Sequence, residues 1–256
     1  QARQVAFFHQ NGYLAVERIT TDEEIEWLRR RFDELFEARQ GGAPGAFFDT
    51  ARPYDEEGPD LFAQALFPEL AVPALRDTQF VRNGKRIACK LLGQPEDKVH
   101  NWGHMLRKPA RIGESAPWHQ DEAYWDPELD YHAVGNWMPL DDAEVDNGCL
   151  WFVPGSHRLP VLAHKHKGDD PTVHILELVE PLDTSTAVPV PTRAGGASFH
   201  HQRTLHYSRP NTTDRDRRAY ANEYQTRPVK RQVPADRPWV IDGREAFEER
   251  PVFRTP

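Results

Sequence analysis

Three side chains in this sequence could hold a metal ion between them. His119 and Asp121 lie in the run Trp118-His119-Gln120-Asp121, and a histidine further along would complete the set, with His206 as one candidate. In an extended strand residues i and i+2 point the same way, so His119 and Asp121 can offer an imidazole nitrogen and a carboxylate oxygen to one point in space. Two neutral imidazoles and one carboxylate on one face of an octahedron hold non-heme Fe(II) and leave positions open for further ligands. An H-x-D pair alone is a weak signal, because the chain has 12 His and 40 Asp plus Glu. Trp118, Tyr124 and Trp125 flank the pair, and aromatic walls that exclude water suit a site producing a reactive oxidant. The same rings could equally fill a core. Periodicity does not separate His206 from the His200-His201 pair.

A second constellation lies downstream. Arg209 to Asp214 reads as a turn, which makes the strands before and after it hairpin neighbours. Ser208 shares a face with His206, and Arg217 on the returning strand can reach that face. A guanidinium grips a carboxylate in bidentate fashion and a hydroxyl adds a hydrogen bond, so the pair describes a socket for the remote end of a dicarboxylate. Arg215 and Arg218 compete with Arg217 on spacing alone, and any of the three could be a solvated surface residue.

The formal net charge of −8 argues against nucleic acid or an anionic membrane as the main partner, since both need a dominant basic face. A small-molecule substrate fits better, and composition leaves the oligomeric state unknown. Only Cys89 and Cys149 are present, with no Cys-x-x-Cys pair, so a reducing cytoplasm is the expected location. No apolar run approaches the roughly 18 to 20 residues of a membrane span, and Gln1 to Gln10 lacks a signal-peptide core. The chain opens on Gln rather than Met, which leaves room for native residues upstream.

The elements that must position these groups follow from patterning. A length of 256 residues suits one domain: residues 1–97 mostly helical, 98–227 a β core, and 228–256 an irregular tail. Residues 12–16 read as a strand. Thr21 and Glu24 read as a capping box for a helix whose apolar stripe is Ile25, Leu28, Phe32, Leu35 and Phe36, ended by Gly41-Gly42. Residues 43–60 read as a loop with an exposed Phe47-Phe48 pair, either a connector or a mobile lid. A second helical patch is expected over about 61–92, broken at Pro68 and Pro73. From Val99 the texture is β, with His100, Trp102, His104, Leu106 and Lys108 on one face. Short strands follow near residues 118–121, 133–140, 149–153, 174–179, 197–201, 204–208 and 217–225, a jelly-roll rhythm. Residues 164–170 read as a polar loop between them.

Taken together, these residues resemble the phytanoyl-CoA hydroxylase (phytanoyl-CoA dioxygenase) family of Fe(II)/2-oxoglutarate oxygenases. The resemblance rests on Trp118-His119-Gln120-Asp121, on Trp137, on Asp146-Asn147-Gly148-Cys149-Leu150 with Val153-Pro154-Gly155-Ser156-His157, and on Phe199, His206, Ser208, Asn211, Arg217 and Ala219 in that order. It covers roughly residues 108–225. It implies a mainly β double-stranded β-helix, jelly-roll and cupin-like, with helices packed on one side. It also implies that His119, Asp121 and His206 bind Fe(II), that Arg217 and Ser208 bind the far carboxylate of 2-oxoglutarate, and that Trp137 lines that pocket. The implied activity is a dioxygenase that uses O2 to hydroxylate a small-molecule substrate, releasing succinate and CO2. His104 and Lys108 could border the site, and the Pro154–His157 turn is expected to be structural. A cupin-type isomerase or oxygenase that does not use 2-oxoglutarate, and a catalytically silent binding module, are the rival readings. Arg158, Lys165, Lys167, Lys230 and Arg231 could receive the phosphates of a CoA ester or be solvated charge, and a small metabolite is the preferred substrate.

Overall fold

The fold was analysed in a computed structural model, which describes residues 2–240. Helix α1 (Ala2–Asn11) leads into β1 (Tyr13–Val16) and α2 (Asp22–Glu37); β2 (Phe47–Asp49) and β3 (Ala63–Leu66) precede α3 (Pro68–Ala71) and α4 (Gln79–Leu92). The strands that follow are β4 (His100–Lys108), β5 (Ala116–His119), β6 (Leu129–Asp130), β7 (Ala133–Pro139), β8 (Leu150–Phe152) and β9 (His164–His166). After them come β10 (Leu176–Leu178), β11 (Val188–Val190), β12 (Ala197–His201), β13 (His206–Ser208), β14 (Arg217–Gln225) and β15 (Val229–Lys230).

Seven strands form a large sheet in the order β1-β12-β7-β14-β4-β3-β2, and four form a smaller one, β11-β8-β13-β5. The two face each other across Leu106, Trp137, Ala219 and Ala221 from the large sheet and Leu150 and Phe152 from the small one. This is the expected double-stranded β-helix, with the helices on the outer face of the large sheet. Because side chains alternate along a strand, β14 serves both layers. Tyr220 and Tyr224 join the helix-side core, while Arg217, Ala219, Ala221 and Glu223 face the other sheet.

The amphipathic stripe of α2 is buried as its spacing requires, with Ile25, Leu28, Phe32, Leu35 and Phe36 packed over Met105, Val134, Met138 and Phe199. Its capping box is only half formed. Thr21 accepts from the Glu24 amide at 3.3 Å, but the Glu24 carboxylate accepts from the amides of Gln79 and Phe80 at 2.6 and 3.0 Å and so caps α4 instead. Helix α4 lies close to the sheet at Gly84, where a Cβ would fall 2.5 Å from the Tyr224 hydroxyl and from Asn136 Nδ2.

Four expectations are corrected. Residues 43–60 are not all loop and do not expose a Phe pair: Phe48 is buried in β2, and the Asp49 carboxylate accepts from the amides of Ala51, Arg52, Leu61 and Phe62, tying together the ends of the segment that follows. The start of the second helical patch is strand β3. Its Ala-Gln-Ala-Leu sequence has helix-forming composition, yet all four residues are buried between neighbours, so burial overrides propensity. The polar loop at 164–170 contains β9, paired with β10, with His164 and His166 buried. Finally, the turn after Ser208 does not make a hairpin. Strand β13 pairs with β5 and β8, whereas β14 pairs with β4 and β7, so the turn carries the chain from one sheet to the other. Of the tail, residues 241–256 lie outside the described residues.

Candidate metal centre and anion pocket

Strands β5 and β13 are antiparallel neighbours with His119 opposite His206, and their ring centroids are 4.1 Å apart. Gln120 continues extended and Asp121 opens a 3-10 turn, so the two-residue spacing brings Asp121 back to the His119 side. His119, Asp121 and His206 each offer a ligand atom within 4.8 Å of the others. Of His200, His201 and His206, His206 is the one that falls in this cluster. Each imidazole is fixed from behind: Nδ1 of His119 donates to Pro117 O at 2.6 Å, and Nδ1 of His206 donates to Thr204 O at 3.0 Å. That tautomer leaves Nε2 as a bare lone pair, the form a metal ligand needs. Asp121 Oδ1 lies 3.9 Å from Nε2 of His119 and 3.5 Å from Nε2 of His206. Its other oxygen, Oδ2, accepts from His200 Nε2 at 2.8 Å.

The electrostatics agree with a cation site. Burial lowers the pKa of both His119 and His206, which favours the neutral imidazole. Burial works against ionisation of Asp121, but the neighbouring His206 and His200 outweigh it and hold the carboxyl well below its ordinary value. Around this centre the chain is pinned at two places. The Gln120 side chain donates to Pro160 O and Arg203 O and accepts from Leu162 N. Glu122, fully buried, accepts from Arg203, Arg231 and Arg237.

The second cluster is cationic. Arg217 and Lys108 are cross-strand partners on β14 and β4, and their side chains are almost completely buried, at 1% and 0% exposure. Lys108 Nζ donates to Ser208 Oγ, to Ser208 O at 3.1 Å and to Arg209 O at 2.7 Å. The Arg217 guanidinium sits 5.4 Å from the ring centre of Trp137 and 5.8 Å from that of Phe62, and its Nε and Nη1 have no hydrogen-bond partner. Among the described residues no carboxylate lies within ion-pair distance of either cation. Burial drives the Arg217 pKa down to about 10, and burial together with Arg217 lowers that of Lys108. Nearby Cys149 supplies no counter-charge, because burial pushes its thiol up to about 11. A buried guanidinium with two unused donors, beside a second buried basic side chain, forms an anion socket, and removing like charges from water without an anion would be strongly unfavourable.

Several residues flagged in the sequence lie elsewhere. Trp118 points away from the metal position and stacks on Tyr207 at 5.2 Å, while Trp125 packs on Tyr131. Tyr124 does border the site, edge-on to His119 at 5.8 Å. Arg218 is bound to Asp141 and Asp33 on the opposite face of β14, so of these two neighbours the alternation of the strand puts Arg217 on the inner face. Lys165, Lys167 and Arg231 are engaged by Asp169, Glu114 and Glu122 respectively. Sequence reasoning weighed His200 only as a rival of His206 and missed Glu223. The period-2 pattern of β12 and β14 puts both on the inner face, but only the register of the sheet brings them beside Asp121.

A double-stranded β-helix with an inward-facing His-Asp-His triad and a buried cationic socket is the architecture of 2-oxoglutarate-dependent non-heme iron oxygenases. Comparison with known proteins agrees. The family model "Phytanoyl-CoA dioxygenase (PhyH)" matches residues 8–219, and the chain belongs to that family. Among solved structures, it is similar to EvdO2 from Micromonospora carbonacea var. aurantiaca complexed with 2-oxoglutarate, with 36% identity, a TM-score of 0.81, and coverage of 93% of this chain and 96% of that one. Phytanoyl-CoA dioxygenase domain-containing protein 1 of Danio rerio is 26% identical over 260 residues, covering 83% of this chain and 86% of the relative. Phytanoyl-CoA dioxygenase of Arabidopsis thaliana is 25% identical over 253 residues, covering 85% and 86%. The protein is thus an enzyme of the 2-oxoglutarate-dependent, O2-using non-heme iron class. No helix among the described residues is long and apolar enough to cross a membrane.

Proposed function

We propose that this enzyme hydroxylates a small-molecule substrate, with Fe(II) held by His119, Asp121 and His206 and 2-oxoglutarate held at its far carboxylate by Arg217 and Ser208. The observation that carries the reading is the buried Arg217 beside Lys108, with two guanidinium donors unused, which calls for an anion on the same inner face as the triad. When bound, the iron with 2-oxoglutarate and O2 supplies the oxidising chemistry, coupled to release of succinate and CO2. The chain's own residues do the rest. Two neutral imidazoles and one carboxylate match the donor set that binds Fe(II) and leaves room for other ligands. Arg217 offers Nε and Nη1, which have no partner in the protein, as charged hydrogen-bond donors to a carboxylate. Lys108 orients the Ser208 hydroxyl and adds positive charge, and Trp137 and Phe62 exclude water from the ion pair, which strengthens it. A cupin that uses no keto acid has no need for this socket.

The test is anaerobic titration of the protein with Fe(II) and then 2-oxoglutarate, followed by exposure to O2. A metal-to-ligand charge-transfer band that needs both components, and succinate formed in step with 2-oxoglutarate loss, are expected. A protein that binds Fe(II) but shows no band with 2-oxoglutarate would return the assignment to the keto-acid-independent cupins.

A further inference from the structure

The large sheet has a second pole. Along the inner face of β14, Arg217 and Glu223 stand at opposite ends of the strand, six residues or roughly 20 Å apart, with only Ala219 and Ala221 between them on that face. The sheet register places Glu223 beside Gly135 of β7, and Gly135 beside His200 of β12. A Cβ on Gly135 would lie 2.7 Å from His200 Nε2 and 3.0 Å from Glu223 Oε1, so the missing side chain is what lets these two groups approach one point. Both are more than nine-tenths buried, and both retain a polar atom without a partner, Oε2 of Glu223 and Nδ1 of His200. Trp102, the cross-strand partner of Glu223 on β4, adds an aromatic face.

Resting on the function proposed above, we infer that Glu223, Gly135 and His200 form the polar pole of the substrate chamber and recognise a hydroxyl-bearing substrate. The argument is one of matching donors and acceptors. Since Asp121 Oδ2 can only accept, His200 Nε2 donates to it, and Nδ1 is left for the ligand, as is Oε2 of Glu223. A hydroxyl both donates and accepts, so it can satisfy both groups. A polyanion such as a CoA thioester would need basic side chains, and among the described residues Arg217 and Lys108 stand at the other end of the sheet. Lys165, Lys167 and Arg231 are already engaged by carboxylates.

The experiment uses the anaerobic Fe(II)/2-oxoglutarate complex, whose charge-transfer band responds when a molecule enters beside the metal. The probes are methyl glycosides of common hexoses and myo-inositol as neutral hydroxylated compounds, choline as a cation, and acetyl-CoA as an anionic thioester. Neutral probes should shift the band in the wild-type protein. Glu223→Leu should raise the half-saturating concentration roughly 10-fold or more, the loss of about 1.4 kcal/mol of binding, while Glu223→Gln, which can still hydrogen-bond, should stay within about 3-fold of wild type by the same measure. An unshifted band in 2-oxoglutarate alone shows that each variant is folded and loaded. The inference is overturned if choline or acetyl-CoA shifts the band and the neutral probes do not, if no neutral probe shifts it, or if Glu223→Leu binds like wild type. Failure to form the band in wild-type protein would overturn the parent assignment instead.

Discussion

His200 Nε2 lies 2.8 Å from Oδ2 of Asp121, leaving Oδ1 as the oxygen turned toward His119 and His206. A hydrogen bond to one carboxylate oxygen fixes which oxygen and which lone pair meet the metal, and losing such a partner typically weakens metal binding by 10- to 100-fold. His200→Ala should therefore lower Fe(II) or Co(II) affinity by roughly that factor, with His200→Gln recovering part of it. Gly135→Ala should act similarly, because its Cβ would displace the same ring. Co(II) titration monitored by visible absorption would measure both, and wild-type affinity in His200→Ala would show that Asp121 is held by other means.

Replacing a metal ligand should have a more complete effect. His119→Ala and His206→Ala each remove one of the two imidazoles, so tight metal binding and turnover should both be lost. Circular dichroism should be unchanged, since the core between the sheets does not depend on either ring. Retention of iron by either variant would reassign the triad.

Arg217→Ala tests the anion socket. A hydrogen bond to a charged group contributes about 1.5 to 3 kcal/mol, so 2-oxoglutarate affinity should fall by roughly 10- to 150-fold at 1.4 kcal/mol per decade while metal affinity is kept. Arg218→Ala is the internal control: it breaks contacts to Asp141 and Asp33 and should lower stability without changing 2-oxoglutarate binding. Equal effects of the two variants on affinity would remove the distinction between the faces of β14.

The contrast between these two arginines marks how far the sequence can be read. The stripe of α2 was legible, and so was the shared side of His119 and Asp121, because each depends on spacing within one element, whereas spacing alone left Arg217 level with Arg215 and Arg218 until the bounds of β14 were known. What connects elements was not. The pairing of β13 with β5, the approach of Lys108 to Ser208, and the placing of His200 and Glu223 beside Asp121 all depend on strand register across long sequence separations. Strand β3 was misread for a different reason: a short buried run has no amphipathic period to report.

The acid limb of stability follows from the buried histidines. His164 is 3% exposed, and burial lowers its pKa from 6.5 to about 4. Above pH 6.5 the folded and unfolded states are both neutral there. Below it the unfolded state takes up a proton that the folded state refuses, so stability falls until about pH 4, at up to about 1.4 kcal/mol per pH unit for one group. Urea unfolding of the metal-free protein at pH 7, 6 and 5 should show this decline, and His164→Asn should reduce its slope. An unaltered slope in that variant would assign the acid sensitivity to other groups.

The ring of arginines around Glu122 also bears on the order in which the enzyme can be made. Glu122 directly follows the metal carboxylate near the middle of the chain, yet two of its three cations, Arg231 and Arg237, arrive at the end of the described residues, and Trp239 adds a bond from its indole to Ala123 O. A nascent chain that has emerged only as far as β14 already contains all three metal ligands, but it carries a buried carboxylate with a single cation beside it. The centre is therefore written early in translation and locked late, and a chain ending between β14 and Arg231 would carry every proposed ligand with the turn that aims Asp121 unfastened.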